Sequence, residues 1–201
     1  MKLLKAGPSP FVRTILVLLH ETDQIAEVET VDVIAAPGGT APELAAANPL
    51  GKIPALIRDG GPTLYDSRVI SRFLDDRAGA GLYPASDPWT TLTLEATGHG
   101  IMEAAVAMIY ERRFRAEDKV SEDWIEAQWE KVDRTLTALE SRWMGHLSGR
   151  LDVAHIAIGC ALGYLDFRHP ERNWRTGRDG LAKWYESFAA RPSMQATEPQ
   201  G

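Results

Sequence analysis

The sequence predicts two units: an α/β unit in the first half and an all-helical unit in the second. Three observations carry this. Short β-type runs alternate with helical periodicity up to about Leu74; residues 78–88 are rich in Ala, Gly and Pro without a period; and beyond Trp89 apolar residues recur only at spacings of three and four. The domain boundaries are therefore set at 1–78 and 89–201, with residues 79–88 as the linker.

In the first unit, Lys2–Lys5 reads as a short strand and Gly7–Pro10 as a turn. Phe11, Ile15, Leu18 and Leu19 share one helical face, predicting a helix from Pro10 to Thr22 with proline at the tolerant first position. Glu27–Val33 alternates charged and β-branched residues like a half-buried strand. A Pro/Gly loop (Ala35–Thr40) and a short helix around Pro42–Ala47 follow. Ile53–Arg58 and Pro62–Leu64 flank Asp59-Gly60-Gly61, a hairpin signal. Asp66 and Ser67 then open a helix bearing Val69, Ile70, Phe73 and Leu74. The predicted order is β-α-β-α-β-β-α.

In the second unit, a helix from Trp89 to Phe114 is expected to be interrupted at Gly98-His99-Gly100. Ile125, Trp129, Val132, Leu136, Leu139 and Trp143 form the buried stripe of a long helix. Asp152 caps a helix whose Ile156–Leu165 stretch is apolar nearly all round, which marks it as central and buried. A last helix covers Gly180–Ala190.

Composition excludes several functions. A formal charge of −6 with no Lys/Arg-rich run argues against a nucleic-acid partner. No segment has the length of a membrane span, and the apolar run Ile15–Leu19 is too short for a signal-peptide core, so the expected compartment is the cytoplasm. Cys160 is the single cysteine, which rules out an internal disulfide. The histidines show no ligand spacing, so no metal is expected.

Three stretches carry chemistry. In Asn48-Pro49-Leu50-Gly51-Lys52-Ile53-Pro54-Ala55-Leu56, a cis Pro54 would turn the Ile53 N–H and C=O toward an extended peptide; an ordinary trans proline starting an edge strand is the alternative. In Leu64-Tyr65-Asp66-Ser67-Arg68, a helix N-terminus with Ser67 at its cap offers donors to a carboxylate, while Asp66 suits an ammonium; together they fit an α-amino acid group. In Ser9-Pro10-Phe11-Val12-Arg13, Ser9 sits where the helix dipole favours negative charge and could donate to a thiolate, or serve only as a cap.

Ser-Pro-Phe, Asn-Pro-Leu-Gly-Lys-Ile-Pro-Ala-Leu and Asp-Ser-Arg-Val-Ile, in this order, resemble the glutathione-site landmarks of cytosolic glutathione transferases. The Ile156–Arg168 stretch is similar to the buried helix of the bacterial YibF-like subgroup. The resemblance covers essentially the whole chain. It implies a thioredoxin-like N-terminal domain (βαβαββα) with an all-helical C-terminal domain, glutathione as co-substrate, a small hydrophobic electrophile and a homodimer. Ser9 matches the activating serine. Phe11, Lys52, Ile53, Pro54, Asp66, Ser67 and Arg68 would line the glutathione site, and Met102, Tyr110 and Arg113 the second-substrate cleft. The sequence departs from the pattern where Asp66 stands for a more usual Glu and where His99 precedes Gly100, leaving His99 or Glu103 to reach a partner subunit. His155 stands in the acid's place of a helix-capping box, so weakened reciprocal capping is expected. With serine at position 9, thiol addition or substitution is expected rather than disulfide reduction. A glutathione-binding protein without turnover is the second reading.

Overall fold

The computed structural model describes residues 1–199 and divides into two compact units, one of residues 1–86 joined by the segment from Pro192, the other Asp87–Arg191. The boundary between the units falls between Ser86 and Asp87, inside the stretch read as a linker, and the segment from Pro192 groups with the first unit.

In the first unit, β1 (Lys2–Lys5) is followed by α1 (Pro10–Glu21) and β2 (Glu29–Asp32). The strands β1 and β2 pair in parallel, Leu3 opposite Thr30, as a helical crossover requires. Next come β3 (Ala35–Ala36), β4 (Gly39–Thr40), α2 (Pro42–Ala47) and β5 (Ala55–Ile57). β5 runs antiparallel to β1, Leu4 opposite Ala55, giving the sheet order β2-β1-β5. Leu4 meets Leu44 of α2 in a core that Val31, Val33, Ile53 and Ile57 complete. Leu3, by strand alternation, faces the other side of the sheet. α3 (Ser67–Ala78) packs on α1 and ends at Gly79 in a left-handed cap.

Two expectations are corrected here. The Ala35–Thr40 segment is a small hairpin, β3 with β4, rather than a loop. The strand expected at Pro62–Leu64 shrinks to one bridge, in which Leu56 and Leu64 exchange N–H···O bonds of 3.0 and 2.9 Å. Pro62 has no N–H to extend the ladder.

In the second unit, α4 (Pro88–Phe114) packs along α5 (Glu122–Ala138) and α7 (Val153–Arg168). α5 passes through a π-turn (Leu139–Trp143) into α6 (Met144–Leu147), and α8 (Asp179–Ala189) closes the unit. All residues from Val153 to Leu165 are buried, as the all-round apolar pattern predicts. α4 runs without the expected interruption. Gly98 is buried against α7, where an added Cβ would lie 2.7 Å from the Ala157 carbonyl carbon, so helix contact overrides glycine's poor propensity. α9 (Pro192–Ala196) returns to α1, and the buried Arg13 guanidinium donates to Met194 O at 2.9 Å.

Candidate functional site

Strand register brings the three sequence landmarks to one end of the sheet. β1 ends where the antiparallel β5 begins, so the turn leading to Ser9 and the Ile53–Pro54 peptide both leave the sheet at that end. The Leu56–Leu64 bridge is also antiparallel, so the chain from Leu64 to Ser67 runs back toward the same end. All three lie within the first unit.

Ser9 is the N-cap of α1, and its Oγ accepts from Val12 N–H at 3.3 Å. That bond uses an oxygen lone pair and leaves the hydroxyl hydrogen to donate elsewhere. α1 has no acidic residue in its first turn, so the positive end of its dipole is uncompensated there.

The Ile53–Pro54 peptide is cis, as anticipated. Asn48, buried to 1% exposure, holds the preceding loop: its Nδ2 donates to Lys52 O at 2.8 Å and its Oδ1 accepts from Leu50 N at 3.0 Å. Gly51 takes φ +63, and an added Cβ would also press on Thr40 at 3.1 Å. The Ile53 N–H and C=O have no hydrogen-bond partner among the described residues, and Lys52 is exposed beside them. Asn48 stands in the motif, but nothing in its spacing announces that its side chain builds the loop.

The cap of α3 is Asp66, not Ser67. Asp66 Oδ1 accepts from Arg68 N at 3.0 Å, and Oδ2 pairs with the Arg68 guanidinium at 3.0 Å. Ser67 becomes the first helical residue, 2% exposed, its hydroxyl without a partner among the described residues. The one-residue shift follows from Asp66 adopting extended backbone (φ −81, ψ −167), which lets a carboxylate rather than a hydroxyl reach the second N–H. A capping carboxylate has lone pairs left for an ammonium, while Ser67 keeps its N–H and O–H for an anion. Phe11 is half-buried one residue into α1.

Among the second-substrate candidates, Met102 is fully buried and presents no surface, which removes it from the set; Tyr110 is 41% exposed and Arg113 is exposed, its guanidinium 5.5 Å from the Phe114 ring centre. His99 is buried in its own chain, whereas Glu103 is exposed on a groove of about 530 Å³ between α4 and α5.

One cluster escaped the sequence. His146, Asp152 and His155 meet at the N-terminus of α7. Asp152 Oδ1 accepts from the N–H groups of Ala154 and His155 at 3.0 and 3.2 Å, and its Oδ2 lies 3.1 Å from Thr91 Oγ1. His155 Nδ1 and His146 Nε2 stand 2.7 and 2.8 Å from the carboxylate. His155 Nδ1 also lies 3.2 Å from the Asp152 N, whose N–H it accepts in one tautomer, so the role of each ring nitrogen follows its tautomer. The capping box expected to be weak is complete, with an imidazole in the acid's role. Burial, the largest influence on Asp152, pushes its carboxyl up; the hydrogen bond and charge of His155 and the charge of His146 outweigh this and hold it below the ordinary carboxylate range.

The family's N-terminal domain matches residues 8–77, and its C-terminal domain matches residues 122–187. The GST-like protein YibF of Escherichia coli K12 is 35% identical over 99% of this chain and 98% of its own. The chain belongs to the glutathione S-transferase family. A glutathione transferase family member from Pseudomonas fluorescens Pf-5, 44% identical, superimposes with a TM-score of 0.96 over 100% of this chain and 99% of its own, and holds glutathione. A structure from the same source with bound S-(propanoic acid)-glutathione gives 0.91 at 44% identity over the full length of both chains. The transferase fold, thioredoxin-like followed by helical, is thus established for this chain.

Proposed function

We propose that this chain binds glutathione and activates its thiol for attack on a small hydrophobic electrophile. The observation that carries this is the meeting of an available Ser9 hydroxyl, an unpaired Ile53 peptide pair and the α3 N-terminus at one sheet end. An extended cysteinyl residue would pair with Ile53 as an added strand does. The γ-glutamyl carboxylate would rest on Ser67 and the ammonium on Asp66, with Arg68 beside them and Lys52 facing the glycyl end. The glutathione held by the 44% identical relative supports the same ligand here.

Ser9 would donate to the thiolate. A thiol of pKa about 8.5 is a few per cent ionised at neutral pH, and lowering it by about two units raises that fraction roughly 25-fold. Nucleophilicity falls roughly 8-fold in compensation, so the net gain is only severalfold and positioning supplies the rest. Cys160 is fully buried in α7 and offers no thiolate for disulfide exchange, which supports addition or substitution over reduction.

Calorimetry with glutathione tests binding, and no heat at millimolar ligand would end the proposal. Ser9→Ala is expected to keep glutathione affinity within a few-fold and to lower turnover severalfold or more. Turnover unchanged in that variant removes Ser9 from the mechanism, and no turnover by the unmodified chain across aryl halides, epoxides and enones leaves a binding protein. Asp66→Asn keeps a competent cap but loses the charge, so glutathione should bind about ten-fold more weakly with the melting temperature unchanged. A homodimer, with Glu103 on the α4–α5 groove as the residue nearest a partner, is expected by light scattering at micromolar concentration; a monomer would contradict it.

A further inference from the structure

Asn48 is engaged through its backbone and its side chain at once. Its N–H donates to Leu44 O at 2.8 Å, which closes α2 and ties the residue to the core that Leu44 shares with Leu4 and Ala55. Its C=O accepts from Gly51 N at 2.8 Å, across a turn with Pro49 in the second place. In the side chain, Oδ1 accepts from Leu50 N at 3.0 Å and Nδ2 donates to Lys52 O at 2.8 Å. Only one orientation of the amide fits, since an N–H faces one end and a carbonyl the other. The bonds to Gly51 and Leu50 shape the turn, whereas the bond to Lys52 acts beyond it. Lys52 O and Ile53 N–H belong to one planar, trans peptide unit, so they point in opposite directions across it. No backbone N–H among the described residues reaches Lys52 O, so the Asn48 amide is the bond that sets the rotation of that plane. On the other side, the Ile53 side chain packs against the same Leu4–Leu44–Ala55 core. The Ile53 N–H is thus aimed while it has no partner of its own among the described residues.

We propose that Asn48 is a positioning residue for glutathione: through the Lys52–Ile53 peptide plane it directs the Ile53 N–H at the cysteinyl carbonyl of the tripeptide. This rests on the glutathione reading above and adds to it a residue that, at 1% exposure, acts without touching the ligand. Without the Asn48 amide, Lys52 O turns to water, as its exposed loop allows, and the Ile53 N–H rotates with it. A hydrogen bond weakens steeply as its angle closes, so the ligand carbonyl loses its donor. A neutral bond of this kind gives about a five-fold difference in affinity.

The test compares two analogues by calorimetry on the full chain: γ-glutamylcysteinamide, which keeps the cysteinyl carbonyl, and γ-glutamylcysteamine, which lacks it. Neither has a glycyl residue, so the glycyl end does not enter the comparison. The unmodified chain is expected to prefer the amide about five-fold. Asn48→Ala should bring the ratio to about one while γ-glutamylcysteamine binds within about two-fold of its original affinity, which reports a folded site. Asn48→Asp still accepts from Leu50 N, but its ionised carboxylate offers Lys52 O no donor, so its ratio should fall likewise. A residue that only holds the fold would weaken both analogues alike and leave the ratio unchanged. That outcome overturns the assignment, as does a preference that survives in Asn48→Asp or loss of folding in both variants. Equal affinity for the two analogues in an unmodified chain that binds glutathione overturns this inference alone. If glutathione itself fails to bind, the earlier reading falls and this one with it.

Discussion

Asp152→Ala is expected to lower the stability of the helical unit by about 3 kcal/mol. The carboxylate accepts from the α7 N-terminus through Ala154 and His155 and from Thr91 of α4, and it stands beside two imidazoles. Losing an N-cap costs about 1 kcal/mol, and stranding buried donors costs about 1–3 kcal/mol more. In a chain of this length that corresponds to a fall of about 6–12 °C in the thermal midpoint. Asp152→Asn separates the two parts, because asparagine caps as well but brings no charge to the two imidazoles. The pH dependence has a definite sign. A carboxyl held below its ordinary value contributes stability that is full above the unfolded pKa, near 3.8, and is lost as pH falls through the lower folded value. Urea unfolding between pH 3 and pH 6 should show this slope in the unmodified chain and a shallower one in the alanine variant. A parallel dependence in both would show that Asp152 is not the titrating group.

Gly98→Val carries the second large effect. In an exposed helix, replacing glycine by a larger residue helps by a few tenths to about 1 kcal/mol. At Gly98 the new Cβ would lie 2.7 Å from the Ala157 carbonyl carbon and 2.9 Å from Ile158 N, backbone atoms that no rotamer change can move. Relief requires α4 and α7 to separate, and that interface holds the most buried helix of the chain. Overpacking of this kind costs about 1–3 kcal/mol, more when backbone is struck, so a net loss of about 3 kcal/mol is expected for valine and about 1–2 for alanine. Thermal unfolding monitored by circular dichroism measures both. An alanine variant more stable than the parent would mean that the helices are not in contact at this point.

The same glycine explains one failure of the sequence pattern. Gly98 and Gly100 read as a break because propensity was weighed without a partner, and the partner, α7, is some sixty residues away in the chain. The periodicities that survive are those set by local burial: α1, α3 and α7 lie where their stripes predict, while the α5 stripe holds to Leu136, its expected Leu139 and Trp143 falling in the π-turn and Trp129 only half-buried. Ser9 and Pro54 were legible because a cap and a cis-proline motif are short-range patterns. Asp66 taking the cap from Ser67 was not, since both residues cap helices well and only backbone geometry chooses between them. The meeting of His146, Asp152 and His155 was hidden because His146 approaches from the turn of α6, outside any helical spacing with α7.

The return of α9 to α1 has a consequence for synthesis. Arg13 emerges from the ribosome early, but the carbonyl that receives its guanidinium belongs to Met194, beyond the entire intervening unit Asp87–Arg191. At bacterial-scale elongation of about 5–20 residues per second, the nascent first unit waits roughly 5–20 s with that cationic group uncovered. Its assembly is therefore a two-instalment process, in which the α/β layers collapse first and the last helix seals them after the helical unit has been made.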